Sequence, residues 1–302
     1  MALFLFALAL LLVDFASRII KAPIFKPVRL PAHISLIHFV NCFSSPVLKD
    51  HLDTFHCFFA DNNLESASET AAQLLQQHPN DRALLWLYTD LLLELDQPAA
   101  AEPVANRLLI ALTNTLSSAE SDPQLFLAAA GKKLFAIMLQ NDGRFERECI
   151  DFLRTFISDQ QKITLLDQLA SIPLVQEKPQ LYHSSEFCIR KALEIAPESL
   201  ALKGTLGALL AERGNFAEAE PLLRACYQSG SKQDCGITSY YLALAAEDSA
   251  DLKTARKLAK QAKSLYAEQW LIKKANLLLD RLRRRKLSGK CSTVSYGTRS
   301  FL

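Results

Sequence analysis

Glycine is scarce in this chain, with nine in 302 residues. Val and Thr are also sparse beside Leu and Ala, and the Asn-Gly and Gly-Gly pairs that close tight hairpins are missing. Asp142-Gly143 lies between helical patterns rather than strand patterns. Helix formers therefore dominate, and the composition predicts an all-α fold. Cysteine pairs with C-x-x-C spacing are missing too, which removes the usual structural zinc site. The seven cysteines are scattered: Cys42, Cys57, Cys149, Cys188, Cys226, Cys235 and Cys291. Such scatter suits small apolar thiols in a reducing compartment. Also missing are a Gly-rich phosphate loop, a G-x-S-x-G elbow and an H-E-x-x-H pair. His33 with His38, and His51 with His56, are each five apart and diverge around a helix. Glu148 and Asp151 read as a solvated acidic pair. Nothing orients His183 and Ser184 toward Cys188. No catalytic residue, cofactor or metal is expected, and the chain does not read as an enzyme.

Half of the residues are apolar, so a large core is available and general disorder is excluded. Net charge is only +2, but it is unevenly spread. Between Leu252 and Lys290 thirteen Lys or Arg face two acids, a net of +11, while residues 1–251 carry a net of −10. That asymmetry implies an anionic neighbour for the C-terminal region, such as an anionic lipid surface or a nucleic acid. The residues in question are Lys273, Lys274, Arg281, Arg283, Arg284, Arg285 and Lys286.

The N-terminus opens with ALFLFALALLLV (2–13). It lacks the basic start and the small-x-small site of a cleaved leader. Residues 2–20 approach the length that spans a bilayer, with Asp14 and Arg18 one helical turn apart. Arg18, Lys21, Lys26 and Arg29 follow the run and nothing basic precedes it. The positive-inside rule then places the rest of the chain in the cytoplasm. The expected order begins with an anchor or signal-like segment (1–21) and a Pro-rich linker (22–47). An exported protein with a Cys226–Cys235 disulfide is the alternative.

The most patterned stretch is LALKGTLGALLAERGNFAEAEPLLRAC (200–226). Leu206-Gly207, Leu210, Gly214-Asn215-Phe216, Ala219 and Leu223 stand where two antiparallel helices need small and large residues to interlock. Tyr241 to Ala262 repeats the plan with Leu242-Ala243, Ala246, Leu252, Ala255 and Ala262. This resembles the tetratricopeptide-repeat (TPR) family of 34-residue helix-turn-helix units. Weaker units fall at 48–81 (Ala67, Pro79), 82–115 (Trp86, Asp96-Gln97-Pro98, Ala101), 129–162 and 166–199. The third carries Glu148 at its small position, and Pro173 is expected to break or shorten the first helix of the fourth. The resemblance divides the chain into repeats at 48–115, a break at 116–128 and repeats at 129–268. A basic capping helix at 269–287 follows, burying Trp270, Ile272, Leu277, Leu278 and Leu282, and then a disordered tail at 288–302.

What the resemblance implies is a right-handed superhelical solenoid whose first helices line a concave groove. That register places Trp86, Asp90 and Glu94 in the groove, then Lys133 and Asn141, then Glu212, Tyr240, Leu244, Glu247 and Asp248. The Lys/Asn clamp of chaperone-tail receptors is missing. A mixed apolar and acidic groove suits a basic or amphipathic segment of a protein or peptide partner. The expected function is a membrane-anchored, non-enzymatic protein–protein interaction scaffold. The alternative is binding of nucleic acid or ribosomes by Arg281, Arg283–Arg285 and Lys286, through phosphate contacts alone.

Overall fold

Short polar side chains start the helices. Ser45 accepts a hydrogen bond from the Leu48 N–H (3.1 Å), Asn63 from Ser66 (3.1 Å) and Asp81 from Leu84 (2.9 Å). Ser158 and Gln161 close a reciprocal capping box, Ser158 N–H to Gln161 Oε1 at 2.9 Å and Gln161 N–H to Ser158 Oγ at 3.3 Å. Pro98 is the first residue of its helix, where its missing N–H costs nothing.

The structure is a computed structural model and describes residues 45–113, 123–155, 157–229, 232–265 and 269–288. Among them it is entirely helical, without strands. The first helices are α1 (Pro46–Asp50), α2 (Leu52–Ala60), α3 (Leu64–Gln77), α4 (Arg82–Glu94) and α5 (Pro98–Thr113). Next come α6 (Pro123–Gln140), α7 (Phe145–Leu153), α8 (Asp159–Val175) and α9 (Tyr182–Ile195). The last are α10 (Leu200–Glu212), α11 (Phe216–Ser229), α12 (Lys232–Asp248), α13 (Leu252–Leu265) and α14 (Gln269–Ser288). The chain divides into two compact units, residues 1–172 and 173–302. Within each, helices pack against their neighbours in sequence, as in a helical repeat.

One turn geometry recurs. Asn62, Asp96, Gly143, Gly214 and Ala250 each adopt a positive φ two residues before the second helix of a pair, and Glu177 does so before the short 3-10 turn Pro179–Leu181. At four of these turns the residue after the positive φ donates back five positions to close the first helix. These bonds are Asn63 N to Phe58 O (2.8 Å), Gln97 N to Leu92 O (2.8 Å), Lys178 N to Pro173 O (2.9 Å) and Asn215 N to Leu210 O (2.8 Å). This is the Schellman closure, which satisfies carbonyls that a helix end leaves orphaned. The fourth residue of the second helix is then small and fully buried: Ala67, Ala101, Ser185, Ala219 and Ala255. Glu148 breaks the series. It stays half-exposed, and Cys149 is buried in its place.

The first helices α4 and α10 are apolar almost all round. Ala83 to Leu87 are buried in succession, as are Leu206 to Ala211, because other helices cover both flanks. Second helices bury one stripe, as Ala255, Ala259 and Ala262 do in α13. Small residues let these pairs close. A Cβ added to Gly207 would lie 2.9 Å from Leu223 Cγ, and one added to Gly204 would lie 3.3 Å from Cys226 Sγ.

Two expectations need correction. Pro173 does not break its helix: α8 runs to Val175 and holds Pro173 two residues before its end, where the proline forgoes a single bond to the carbonyl four residues back. Pro103 and Pro221 are likewise housed inside α5 and α11, both exposed. Leu277 is 62% exposed rather than buried, because the buried stripe of α14 is Leu271, Ala275, Leu278 and Leu282. Its spacing leaves position 277 on the far side.

The apolar run at 1–21, most of the linker, residues 116–122 of the proposed break and the tail after 288 lie outside the described residues. Residues 123–128 of that break are helical. Among the described residues no helix is long and apolar enough to cross a membrane.

Candidate functional site

Each compact unit gathers ionic and aromatic side chains on its first helices. In the first unit, Lys132 of α6 is only 2% exposed, a costly place for an ammonium group. It is held by the carboxylate of Asp90 on α4 and lies over the Trp86 ring, 4.6 Å from its centroid. Desolvation strengthens both the ion pair and the cation–π contact. Trp86 and Asp90 are thus brought together, but around an internal cation, and Trp86 is 7% exposed. Lys133, one residue on, faces Glu148 at 3.9 Å. Glu94 is exposed at the last position of α4, and Asn141 is exposed in the α6–α7 turn with φ +50.

At that turn Arg144 makes a fork to Glu102 of α5, with Nη1 at 3.1 Å and Nη2 at 3.0 Å, and its Nε donates to Asp142 at 2.7 Å. Hydrogen bonding from Arg144 holds the Glu102 carboxyl below the usual carboxylate range, with Gln140 assisting and burial opposing.

In the second unit the pattern recurs with α10, α12 and α14. Lys274 Nζ lies 2.6 Å from Glu212 Oε1 and 5.8 Å from the Trp270 ring centroid. Glu247 is 5% exposed and receives Arg281, whose Nε donates to Oε1 at 2.8 Å and whose Nη2 contacts Oε2. Arg285 Nη1 adds a third approach at 3.3 Å. Tyr240 and Tyr241 meet edge to face, ring centroids 5.0 Å apart. Burial pushes the hydroxyls of Tyr182, Tyr240 and Tyr241 well above the ordinary phenol range, and the Glu212 charge adds to the effect. All three therefore stay protonated at physiological pH.

Two candidate sets that the sequence separated are therefore joined. Glu212 and Glu247, placed in a groove, are the counter-charges of Lys274, Arg281 and Arg285, placed on an anion-binding helix. Tyr240 is buried, Leu244 is half-buried, and Asp248 is exposed at the end of α12. On α14, Lys273 and Arg284 are exposed, and Arg283 pairs with Asp280 at 3.3 Å. The Lys286 side chain lies outside the described residues.

Sequence reasoning missed Lys132, Tyr182 and Tyr241. Lys132 left a signal, since a lysine inside an all-round apolar helix requires a buried partner. Of the thiols, Cys149, Cys188 and Cys226 are buried and Cys57 is exposed. Cys226 Sγ donates to Leu200 O at 2.9 Å and Cys235 Sγ to Tyr227 O at 3.5 Å. His183 is exposed while Cys188 is buried, so α9 sends them to different environments. Among the described residues no three His, Cys, Asp or Glu side chains are placed to hold a metal ion.

Compared with known proteins, the chain matches no family model and no curated protein.

Proposed function

We propose that this protein is a non-enzymatic scaffold for protein–protein interaction, built as a right-handed solenoid of degenerate TPR-type repeats. Residues 2–20 anchor it to a membrane, the array faces the cytoplasm, and a protein or peptide partner docks along the first helices. The observation that carries this reading is the recurring Schellman turn followed by a buried small residue, a unit built to stack on copies of itself. Such stacking creates an extended binding surface. The paired charges Glu212–Lys274 and Glu247–Arg281 favour a partner that is itself amphipathic, able to exchange an ion pair rather than neutralise a bare acid.

A photo-crosslinking residue at Leu244, half-buried on α12, tests the groove against the same residue at Lys263, exposed on α13. The expected result is one protein adduct from position 244 that survives deletion of residues 1–21 and is missing from position 263. Adducts from 263 alone, or none from 244, would sink the groove reading. A ribonuclease-sensitive adduct from the C-terminal helix would favour nucleic acid instead. Topology is read by labelling exposed Cys57 with an impermeant maleimide. Reaction only after permeabilisation supports the cytoplasmic placement, and reaction in intact cells supports export.

A further inference from the structure

The basic side chains of α14 were the sequence's choice for an anionic partner, yet Lys274, Arg281 and Arg285 are bound to Glu212 and Glu247. The neighbouring helix α13 behaves differently. Lys253, Arg256, Lys257 and Lys260 follow one another at spacings of three, one and three, which puts all four on one face. They line, with Leu252, an open cleft of about 600 Å³. No Asp or Glu lies between Leu252 and Leu265. Among the described residues none of the four has a carboxylate within ion-pairing distance, whereas the Arg and Lys residues of α7, α9 and α11 pair repeatedly. Arg256 is the least satisfied. Its Nη2 donates to the Leu282 carbonyl at 2.7 Å, and its Nε–H is buried without an acceptor. Among the described residues this half-buried guanidinium is bonded only to a neutral carbonyl, which does not supply the counter-charge that offsets its desolvation. Like charges one helical turn apart also repel by a few tenths of a kcal/mol per pair. An anion in the cleft relieves both costs.

We propose that this cleft binds a ligand carrying clustered phosphate groups, either free or as the headgroup of an anionic lipid. Four cations within two helical turns exceed what a single carboxylate requires. The volume lies in the range of small-ligand sites. Among the described residues no aromatic ring lines the cleft to supply the stacking that holds single-stranded nucleic acid. The inference is independent of the groove on the first helices, and the two fail separately.

The test is calorimetric titration of the full chain in detergent with inorganic tripolyphosphate near physiological salt. The parent is compared with a Lys253→Gln/Lys257→Gln/Lys260→Gln variant. The control is Lys273→Gln/Arg283→Gln/Arg284→Gln, which removes the same charge from exposed positions on α14. A lysine at a phosphate surface contributes about 1 kcal/mol, so the triple variant should bind on the order of 100-fold more weakly. The control should stay within about two-fold. Lys257→Gln alone, expected to weaken binding about five-fold, serves if the triple variant does not fold. No saturable binding by the parent up to about 1 mM, or equal weakening in the control, would overturn the proposal. Vesicles with a bisphosphorylated inositol headgroup are then compared with neutral vesicles. Competition with tripolyphosphate identifies a lipid headgroup, and its absence identifies a free ligand; either supports the site. An oligoribonucleotide that displaces tripolyphosphate at lower phosphate concentration would overturn it in favour of nucleic acid.

Discussion

Gly207→Ala sets two effects of known sign against each other. Glycine within a helix costs about 1 kcal/mol relative to alanine, so on propensity alone the substitution stabilises α10. The added Cβ would stand 2.9 Å from Leu223 Cγ, 3.0 Å from Leu223 Cδ2 and 3.4 Å from the Ala219 carbonyl oxygen. Carbon pairs prefer about 3.5–4.0 Å. Leu223 is 1% exposed and the clash is at its branching carbon, so the side chain cannot swing clear. Overpacking of this kind costs about 1–3 kcal/mol. Gly204→Ala has the same propensity gain but meets only Cys226 Sγ at 3.3 Å. Comparing the two alanines cancels the propensity and isolates the approach of α10 to α11. Gly207→Ala should be the less stable by about 1–3 kcal/mol. The assay is urea denaturation followed by fluorescence in a Trp86→Phe background, which leaves Trp270 of the same compact unit as the only tryptophan. In a Leu223→Ala background the penalty at 207 should vanish, because the clashing atoms are gone. If Gly207→Ala raised the midpoint as much as Gly204→Ala, the helices would not be in the contact described.

Asp90→Ala removes the counter-charge of a buried lysine and should cost about 3–5 kcal/mol, whereas Asp90→Leu with Lys132→Met should recover most of that; denaturant midpoints of both variants decide it. Ala250→Gly should raise stability by about 0.5 kcal/mol, since a left-handed alanine costs about 1–2 kcal/mol and the more flexible unfolded chain returns part of it. Gly214→Ala, where an added Cβ meets nothing within 4 Å but φ is +78, should lower stability by about 1 kcal/mol through conformation alone, and thermal melts should show the opposite signs.

Much of the architecture was legible because it is written at short range. Apolar periodicity, Pro98 at a helix start and Gly214 at a turn are choices made within a few residues, so the all-helical class was readable from the sequence. The small residues Ala67, Ala101, Ala219 and Ala255 recur for the same reason, since each answers to the neighbouring helix one short turn away. The candidate site was less legible. Its residues were chosen by register, and register does not say what stands opposite. Arg281 meets Glu247 at a sequence separation of 34, and Lys274 meets Glu212 at a separation of 62. Only packing of α10, α12 and α14 side by side turns an acidic list and a basic list into one set of ion pairs. The same packing exposes Leu277, and among the described residues it leaves the lysines of α13 without ion-paired carboxylates; in the first unit, α4 against α6 buries Lys132. The sequence by itself determined that the chain folds as paired helices. Tertiary structure alone decided which charges neutralise one another and which face outward, because Coulomb energy and burial depend on distances between helices that local sequence does not encode.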